Sequence, residues 1–333
     1  MEYVTGRGPV RAVEGVSFSI APGEVFGLAG ESGCGKSTVA HAIMRILRPP
    51  AIITGGRIAF QGRDVLAMSD EELERFRWAS VSMVFQSAMN SLNPVMTIGD
   101  QIVDAITSHS DLSKKQAWER AAELLEIVGI EPSRLRSYPH QLSGGMRQRA
   151  VIATALALNP PLMIMDEPTT ALDVVVQKEI MQQIEELKDR LGFSILFITH
   201  DLSLLVEFSD RIAIMYAGEI VEMAPARELF SNPLHPYTYG LMNSFPSISG
   251  EKRKLTGIPG SPPDLLHPPS GCRFHPRCPY VQPMFKEVAP RLREVTPGHF
   301  VACHLYDGCQ PGQSQVSLKA AVGGELKFGE MPK

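Results

Sequence analysis

The chain has 333 residues, of which 44% are hydrophobic and 20% are charged, an ordinary composition for a soluble globular protein. Its formal net charge of −4 carries no basic signal, so we expect no nucleic-acid partner. No apolar run is long enough to span a bilayer, and the N-terminus lacks the pattern of a signal peptide. We therefore predict a cytoplasmic location, with any membrane role arising through a partner.

Strand patterns dominate the first part of the chain. Residues 11–20 alternate apolar and polar side chains up to a Pro-Gly turn, and residues 25–29 form the short apolar run of a buried strand. Residues 30–38 follow directly and fit the phosphate-loop pattern G-x-x-x-x-G-K-S/T. A helix is predicted over residues 39–47, ending at a pair of prolines. Strand, loop and helix in this order form the context that a phosphate loop requires.

The residue types of this loop suit a nucleoside triphosphate. Glycines let backbone N–H groups turn inward around an anion, and the positive end of the following helix points at the phosphates. Lys36 supplies a charge for the β- and γ-phosphates, and Ser37 offers a hydroxyl to Mg²⁺. The alternative, a glycine-rich turn with an incidental lysine, is disfavoured by the flanking strand and helix. The predicted nucleotide-binding residues here are Gly30, Gly33, Cys34, Gly35, Lys36, Ser37 and Thr38.

From about residue 87 to residue 160 the pattern is helical. Ser113 and Gln116 form a capping box at the start of one predicted helix. Another helix begins after Ser143, Gly144 and Gly145, where a good N-cap and two glycines leave backbone amides exposed. This helix start is a second anion site. Because one chain carries two phosphate-type sites, we expect the second to serve a different nucleotide.

Residues 162–240 alternate strands and helices, which is typical of an α/β core with a mostly parallel sheet. The apolar strand over residues 162–166 ends in Asp166, which is followed by Glu167. We expect Asp166 to hold Mg²⁺ and Glu167 to polarise the attacking water. An Asp-Glu pair at a strand end is also a common surface feature. The apolar residues before the pair and Pro168 after it favour the functional interpretation.

The composition changes beyond residue 246, where prolines multiply and periodicity disappears. Four of the five cysteines lie in this region, and such clustering in a cytosolic protein indicates metal or redox chemistry before disulfides. We predict an ATPase-type domain over residues 1–240, a separate loop-rich domain over 241–310, and a disordered tail over 311–333.

Together these motifs resemble, in content and order, those of the ATP-binding cassette (ABC) ATPases over about residues 1–240. The resemblance implies a P-loop NTPase fold of the α/β class, with a mixed sheet core, an antiparallel β subdomain and a helical subdomain at about 87–160. It implies ATP and Mg²⁺ as cofactors, residues 30–38 as the Walker A loop, Asp166 as the Walker B aspartate and Glu167 as the catalytic base.

The same resemblance implies roles for residues that would be weak signals alone. Gln86 is expected to contact Mg²⁺ or the attacking water, and His200 to contact the γ-phosphate. Ser143, Gly144 and Gly145 are expected to close on ATP held by the opposite subunit. Asp173 is expected at the dimer interface, and Tyr3 is expected to stack on adenine.

Segments beyond residue 230 resemble the ATPase subunits of oligopeptide, dipeptide and nickel importers, notably residues 232–238, 257–263, 272–279 and 300–304. This resemblance implies a peripheral protein at the cytoplasmic face of the cell membrane. It implies a second ATPase subunit, identical or homologous, two permease subunits, and an extracytoplasmic substrate-binding protein. Peptides are the leading solute, with nickel and oligosaccharides as alternatives. A non-transport ABC ATPase and a redox-regulated ABC module are the alternative functions.

In several relatives four tail cysteines hold an iron–sulfur cluster. Cys272, Cys278 and Cys303 match three of those positions, Phe285 stands at the fourth, and Cys309 is the candidate substitute. A [4Fe–4S] cluster, zinc and metal-free thiols all remain open at this stage. For zinc, the fourth ligand would be one of three histidines, namely His275, His299 or His304.

Overall fold

The computed structural model describes residues 1–86, 91–170, 173–244, 257–308 and 317–322. The strands are β1 (Glu2–Thr5), β2 (Gly8–Arg11), β3 (Val25–Ala29), β4 (Ala51–Ile52), β5 (Ala59–Phe60), β6 (Arg63–Asp64), β7 (Val81–Val84), β8 (Leu162–Asp166), β9 (Ser194–Ile198), β10 (Arg211–Tyr216), β11 (Glu219–Pro225), β12 (Arg293–Thr296) and β13 (His299–Val301). The α-helices are α1 (Lys36–Ile43), α2 (Asp70–Phe76), α3 (Ile98–His109), α4 (Lys114–Ile127), α5 (Gly144–Ala155), α6 (Val174–Leu191), α7 (Leu202–Phe208), α8 (Ala226–Ser231), α9 (Pro236–Asn243) and α10 (Leu318–Val322). Among these helices none is both long and apolar enough to cross a membrane.

A mixed sheet in the order β12-β13-β11-β10-β3-β9-β8-β7 forms the centre of the molecule. Strands β7, β8, β9, β3 and β10 run parallel, whereas β11, β13 and β12 continue the sheet with antiparallel pairing. Every residue of β3, β8 and β9 is buried, which explains their continuous apolar runs. Since parallel strands end at the same edge, the residues that follow β3, β8 and β9 are brought together.

The first part of the chain contains less strand than its alternation predicts. Strands β2, β1 and β4 form a small antiparallel sheet, and β2 ends at Arg11. Residues 12–20, all within the described part of the chain, lie outside any strand. Val16, Phe18 and Ile20 nevertheless pack against the core, and the Phe18 ring stacks on Phe26 at 4.8 Å. The alternation therefore reflects the packing of one side of this segment against the core, without the hydrogen bonds of a β-sheet.

The helices of the cassette begin and end at recognisable signals. Ser113 and Gln116 form the predicted capping box of α4, and the Ser143 hydroxyl accepts the N–H of Met146 at the start of α5. Helix α6 spans Val174–Leu191 and ends at Gly192, which has the left-handed conformation. Helix α1 begins three residues earlier than residue 39, because the loop turns directly into the helix at Lys36.

The C-terminal region packs on the cassette. Strand β13 pairs with β11, so the tail adds β13 and β12 to the central sheet. Phe274 and Cys278 belong to the same buried cluster as the cassette helices. The segment predicted to be disordered includes α10, whose Leu318 is buried. The domain boundaries near residues 240 and 310 stay predictions.

Candidate functional site

The predicted phosphate loop connects β3 to α1 and depends on glycine at two close approaches. Gly30 has φ 148°, and a Cβ there would meet the carbonyl of Met215 and lie 2.7 Å from Cys34 Sγ. Gly35 has φ 107°, and a Cβ there would meet the carbonyl of Ala12. Any other residue type would be strained at both positions. The absence of a side chain lets the loop backbone lie close to Met215 on β10 and to Ala12.

The Lys36 side chain is buried inside this loop, at 6% exposure. Its Nζ donates to the carbonyl oxygens of Gly30 at 2.7 Å and Glu31 at 3.1 Å. Nearby, the Tyr3 hydroxyl lies 3.2 Å from Thr38 Oγ1, so the predicted adenine contact lies beside the loop. Cys34 is buried, and its burial raises the pKa of the thiol, which makes it a neutral packing residue. The ammonium group is thus held where a phosphate could replace the carbonyl oxygens.

Asp166 ends β8 at 2% exposure and has the environment of a cation ligand. Burial raises the pKa of its carboxyl, and a hydrogen bond from Ser37 opposes the rise. Its Oδ1 atom has no hydrogen-bond partner among the described residues. A buried carboxylate oxygen without a partner is costly unless a ligand completes it. Asp166 and Ser37 therefore fit a Mg²⁺ ion, which prefers oxygen ligands.

The three predicted catalytic residues lie in contact around Glu167, the residue after Asp166. The Glu167 carboxylate accepts Nε2 of Gln86 at 3.0 Å and lies 3.3 Å from Nδ1 of His200. It also accepts the hydroxyl of Thr170 at 3.2 Å, a contact that the sequence analysis missed. The backbone N–H of Glu167 donates to Ile198 at the end of β9. The carboxyl edge of the sheet thus places a carboxylate, an amide and an imidazole around one point.

The remaining predicted ATP-site residues lie on a separate edge. Ser143 caps α5, and Asp173 caps α6 by accepting the N–H of Val176 at 2.9 Å. A Cβ on Gly145 would lie 3.0 Å from a methyl group of Val176, so the two helix starts are neighbours. Ser143 and Asp173 are exposed, and Gly144 is partly exposed. The structure therefore places Ser143–Gly145 next to Asp173. The side chains of Ser143 and Asp173 each accept a hydrogen bond at the start of their own helix.

The cysteine prediction has a different outcome. Cys272, Cys278 and Cys303 are free thiols, and burial raises the pKa of Cys272 to about 11 and of Cys278 to about 12. Burial raises the pKa of Cys303 as well. Within the described residues no group of three or more His, Cys, Asp or Glu side chains is placed to hold a metal ion. Cys309 lies outside the described residues. The described part of the chain therefore supports neither an iron–sulfur cluster nor a zinc site.

The positions proposed for the missing ligand have other contacts. Phe285 is buried, and its ring stacks on His304 at 5.1 Å. His304 Nε2 lies 2.7 Å from the Val288 carbonyl, and His299 Nε2 lies 2.7 Å from Glu222 Oε1. His275 Nδ1 lies 2.9 Å from the carbonyl of Cys272. Phe285 thus offers no ligand atom, and each of the three histidines uses at least one ring nitrogen in a polar contact.

Comparison with known proteins decides the family. A family model described as "ABC transporter" matches residues 13–170, and one described as "Oligopeptide/dipeptide transporter, C-terminal region" matches residues 221–284. The chain is 48% identical over 297 residues to the probable peptide ABC transporter ATP-binding protein y4tR of Sinorhizobium fredii, covering 88% of this chain and 89% of that protein. This chain belongs to the ABC transporter ATP-binding proteins. It is therefore an ABC-type ATPase, as predicted.

Further relatives extend the match of this ABC ATPase to nearly its whole length. The oligopeptide transport ATP-binding protein OppD of Bacillus subtilis is 45% identical over 332 residues, covering 98% of this chain and 92% of OppD. Among solved structures, the dimeric post-hydrolysis state of the ATP-binding cassette MJ0796 bound to ADP and Pi matches with a TM-score of 0.60. That match has 31% identity and covers 68% of this chain and 95% of the cassette. The predicted cassette fold is confirmed.

Proposed function

We propose that this ABC ATPase drives a membrane importer and that the imported solute is a peptide. The names of its relatives, which include peptide, dipeptide and oligopeptide transport ATP-binding proteins, support this solute class. The observation that carries ATP hydrolysis is the contact of Glu167 with Gln86 and His200, next to the buried Asp166. Carboxylate, amide and imidazole at one point are the groups that a water-mediated phosphoryl transfer needs.

The proposed reaction is in-line attack of water on the γ-phosphate. Lys36 exchanges its two carbonyl partners for phosphate oxygens and so neutralises part of their charge. Glu167 accepts the proton of the attacking water, while Gln86 and His200 orient the water and the γ-phosphate. Asp166 and Ser37 would hold Mg²⁺, which when bound stabilises charge on the phosphates. The products are ADP and inorganic phosphate.

The site needs a second ATPase subunit in this proposal. Ser143–Gly145 and Asp173 form an exposed edge next to Val174, which is 79% exposed. We propose that this edge closes on ATP held by an identical or homologous subunit. Two permease subunits, and a substrate-binding protein acting on their outer side, complete the importer, with this chain peripheral at the cytoplasmic face. ATP and Mg²⁺ are the proposed cofactors, and the proposed reaction uses none of the described tail cysteines, Cys272, Cys278 and Cys303.

Replacement of the proposed base tests the reaction. We expect Glu167→Gln to lower the ATPase rate of the assembled transporter by about 10²- to 10⁴-fold. ATP binding should persist, because the amide keeps the shape of the site. Phosphate release and equilibrium nucleotide binding measure the two effects, and Glu126→Gln, at an exposed position of α4, is the matched control. A Glu167→Gln transporter that hydrolyses ATP at the unmodified rate would refute the assignment, and uptake of labelled peptides tests the solute.

A further inference from the structure

Glu31, the second residue of the phosphate loop, has a partner for each of its polar groups. Its carboxylate accepts both terminal nitrogens of Arg277, at 2.7 Å and 3.0 Å. Its backbone N–H donates to the hydroxyl of Tyr237 at 2.9 Å, and its carbonyl accepts Nζ of Lys36 at 3.1 Å. Two of these partners, Tyr237 and Arg277, lie beyond His200 in the sequence, and the third is Lys36, which is proposed to hold the phosphates.

Arg277 is itself fixed by the C-terminal region. Its side chain is 5% exposed, and its Nε donates to the Pro259 carbonyl at 2.9 Å. Its guanidinium lies 5.7 Å from the centre of the Tyr216 ring, which gives a cation–π contact. Tyr237 is fully buried, and its ring packs on Tyr216 and Phe274. The fork of Arg277 and the hydroxyl of Tyr237 therefore approach Glu31 from rigid, packed surroundings.

The contacts of Arg277 and Tyr237 with Glu31 act on the phosphate loop. A buried ion pair contributes little to stability compared with apolar packing, because desolvation offsets its attraction. A two-point contact does, however, fix the orientation of the group that it holds. Here that group is Glu31, which lies in a loop with left-handed glycines at positions 30, 33 and 35. A glycine-rich loop that is already ordered loses less conformational entropy when a ligand binds.

We propose that Arg277 and Tyr237 are positioning residues that hold the phosphate loop ready for the triphosphate, so that the part of the chain beyond residue 230 tunes the affinity for MgATP. The inference rests on the proposed ATP site at residues 30–38. Neither residue touches the nucleotide in this proposal; both act through Glu31. Loss of either contact raises the Kd and the KM for MgATP, whereas kcat, which depends on Glu167, stays nearly constant.

Equilibrium titration of the full-length chain with MgATP tests the proposal. We expect Arg277→Met to raise the Kd by roughly tenfold, since a charged two-point hydrogen bond is lost. Tyr237→Phe keeps the ring and should raise the Kd by about threefold. Arg273→Met is the matched control for the arginine, because its side chain is also buried, at 8% exposure, and pairs with Glu14 and Glu219. Tyr306→Phe, which removes a buried hydroxyl bonded to Leu234, is the control for the tyrosine.

A double-mutant cycle separates positioning from general stability. In the Glu31→Ala background, Arg277→Met should raise the Kd no further, because the carboxylate that accepts the two Arg277 hydrogen bonds is already absent. Additive effects, or equal losses in Arg277→Met and Arg273→Met, overturn the proposal. If Arg277→Met does not fold, Arg277→Lys and Tyr237→Phe replace it, and wild-type affinity in both variants overturns the proposal.

Lys36→Ala distinguishes failure of this inference from failure of the ATP site. If Lys36→Ala and the unmodified chain bind MgATP equally, the proposed ATP site is wrong, and the inference falls with it. If Lys36→Ala abolishes binding while Arg277→Met and Tyr237→Phe bind normally, the ATP site stands and the positioning role alone is refuted. Loss of affinity in all three variants, with both controls unchanged, supports the proposal.

Discussion

At the scale of single residues, Asp166 and Glu167 show how neighbouring carboxylates acquire different environments. Asp166 is buried at the end of β8, and its pKa is raised by that burial. Glu167 has φ 48°, a left-handed conformation that is unfavourable for a residue with a side chain. This break in the extended chain redirects its carboxylate toward Gln86 and His200. Strain of this kind is found where a site needs one particular geometry.

The catalytic residues of the site could be predicted from the sequence, but the residues that contact them from elsewhere in the chain could not. Gln86, Glu167 and His200 follow strands, and strand order brings them together. Thr170 and Arg277 carry no spacing signal, because their importance comes from contacts with Glu167 and Glu31 that only the folded chain creates. Phe285 was visible as a departure, whereas its stacking on His304 was not.

The raised pKa values of the tail cysteines predict low reactivity. With pKa values of about 11 for Cys272 and about 12 for Cys278, thiolate fractions near pH 8 are about one thousandth or less. We expect iodoacetamide to label these cysteines only after unfolding in guanidinium chloride, as measured by mass spectrometry of the alkylated chain. Because metal ligation also protects thiols, iron, sulfide and zinc are measured after anaerobic purification. Rapid labelling of native Cys278, or iron and sulfide in matched cluster amounts, would contradict this expectation.

At the scale of elements, one buried carboxylate joins three parts of the fold. Glu222 on β11 accepts the backbone N–H groups of Leu234 and His235, which precede α9. Its Oε1 also lies 2.7 Å from Nε2 of His299 on β13. The start of α9 and the added strand are thus tied to the same point. Sequence periodicity does not predict these contacts of Glu222, because each involves a single residue from a different part of the chain.

Element boundaries were predictable where local signals exist. Helix α6 lies between two such signals, because Asp173 caps its start and Gly192 ends it. Strands β12 and β13 have four and three residues, too few to show a period, and they form only because β11 offers an edge. Residues 12–20 show the opposite case, since their alternation comes from packing on the core.

The N-cap of α9 predicts a pH-dependent stability. His235 is buried, its Nδ1 accepts the N–H of Tyr237, and its pKa is lowered by burial to about 3. The unfolded chain binds a proton near pH 6.5, whereas the folded chain does not, so stability falls as the pH drops from about 6.5 toward 3. Between about pH 7 and pH 5 this group removes about 2 kcal/mol.

Urea unfolding of His235→Asn at these two pH values measures the contribution. The variant should lose less free energy of unfolding on acidification than the unmodified chain does. His267→Asn, at an exposed position, is the control and should follow the unmodified chain. An identical pH dependence in the unmodified chain and in His235→Asn would show that His235 does not remain neutral.

At the scale of the whole molecule, the site is divided between two edges. The phosphate loop, Asp166 and Glu167 lie at the carboxyl edge of the central sheet, whereas Ser143–Gly145 and Asp173 lie at neighbouring helix starts. The tail contacts the first edge through Arg277 and leaves the second edge exposed. The family resemblance predicted the residues of both edges. No pattern in the sequence predicted that Arg277 of the tail would contact Glu31 of the phosphate loop.

A charge at the exposed helix edge should block assembly. We expect Glu167→Gln with MgATP to dimerise, with itself or with a homologous ATPase subunit, and the added change Val174→Glu to prevent this. Val174 is 79% exposed and Val95 is 80% exposed, so Val95→Glu is a matched control at another site. Light scattering during size-exclusion chromatography measures the mass. Dimers that persist in Val174→Glu would place the ATP-dependent contact elsewhere.

The tail strands also have a consequence for synthesis on the ribosome. Strand β11 is complete at residue 225, but its neighbour β13 begins at residue 299. A growing chain therefore displays an unpaired β11 edge until β13 has emerged, and such an edge is prone to wrong pairing. Arg277 also arrives 246 positions after Glu31. The phosphate loop thus gains its contact with Arg277 only after the C-terminal region has been synthesised.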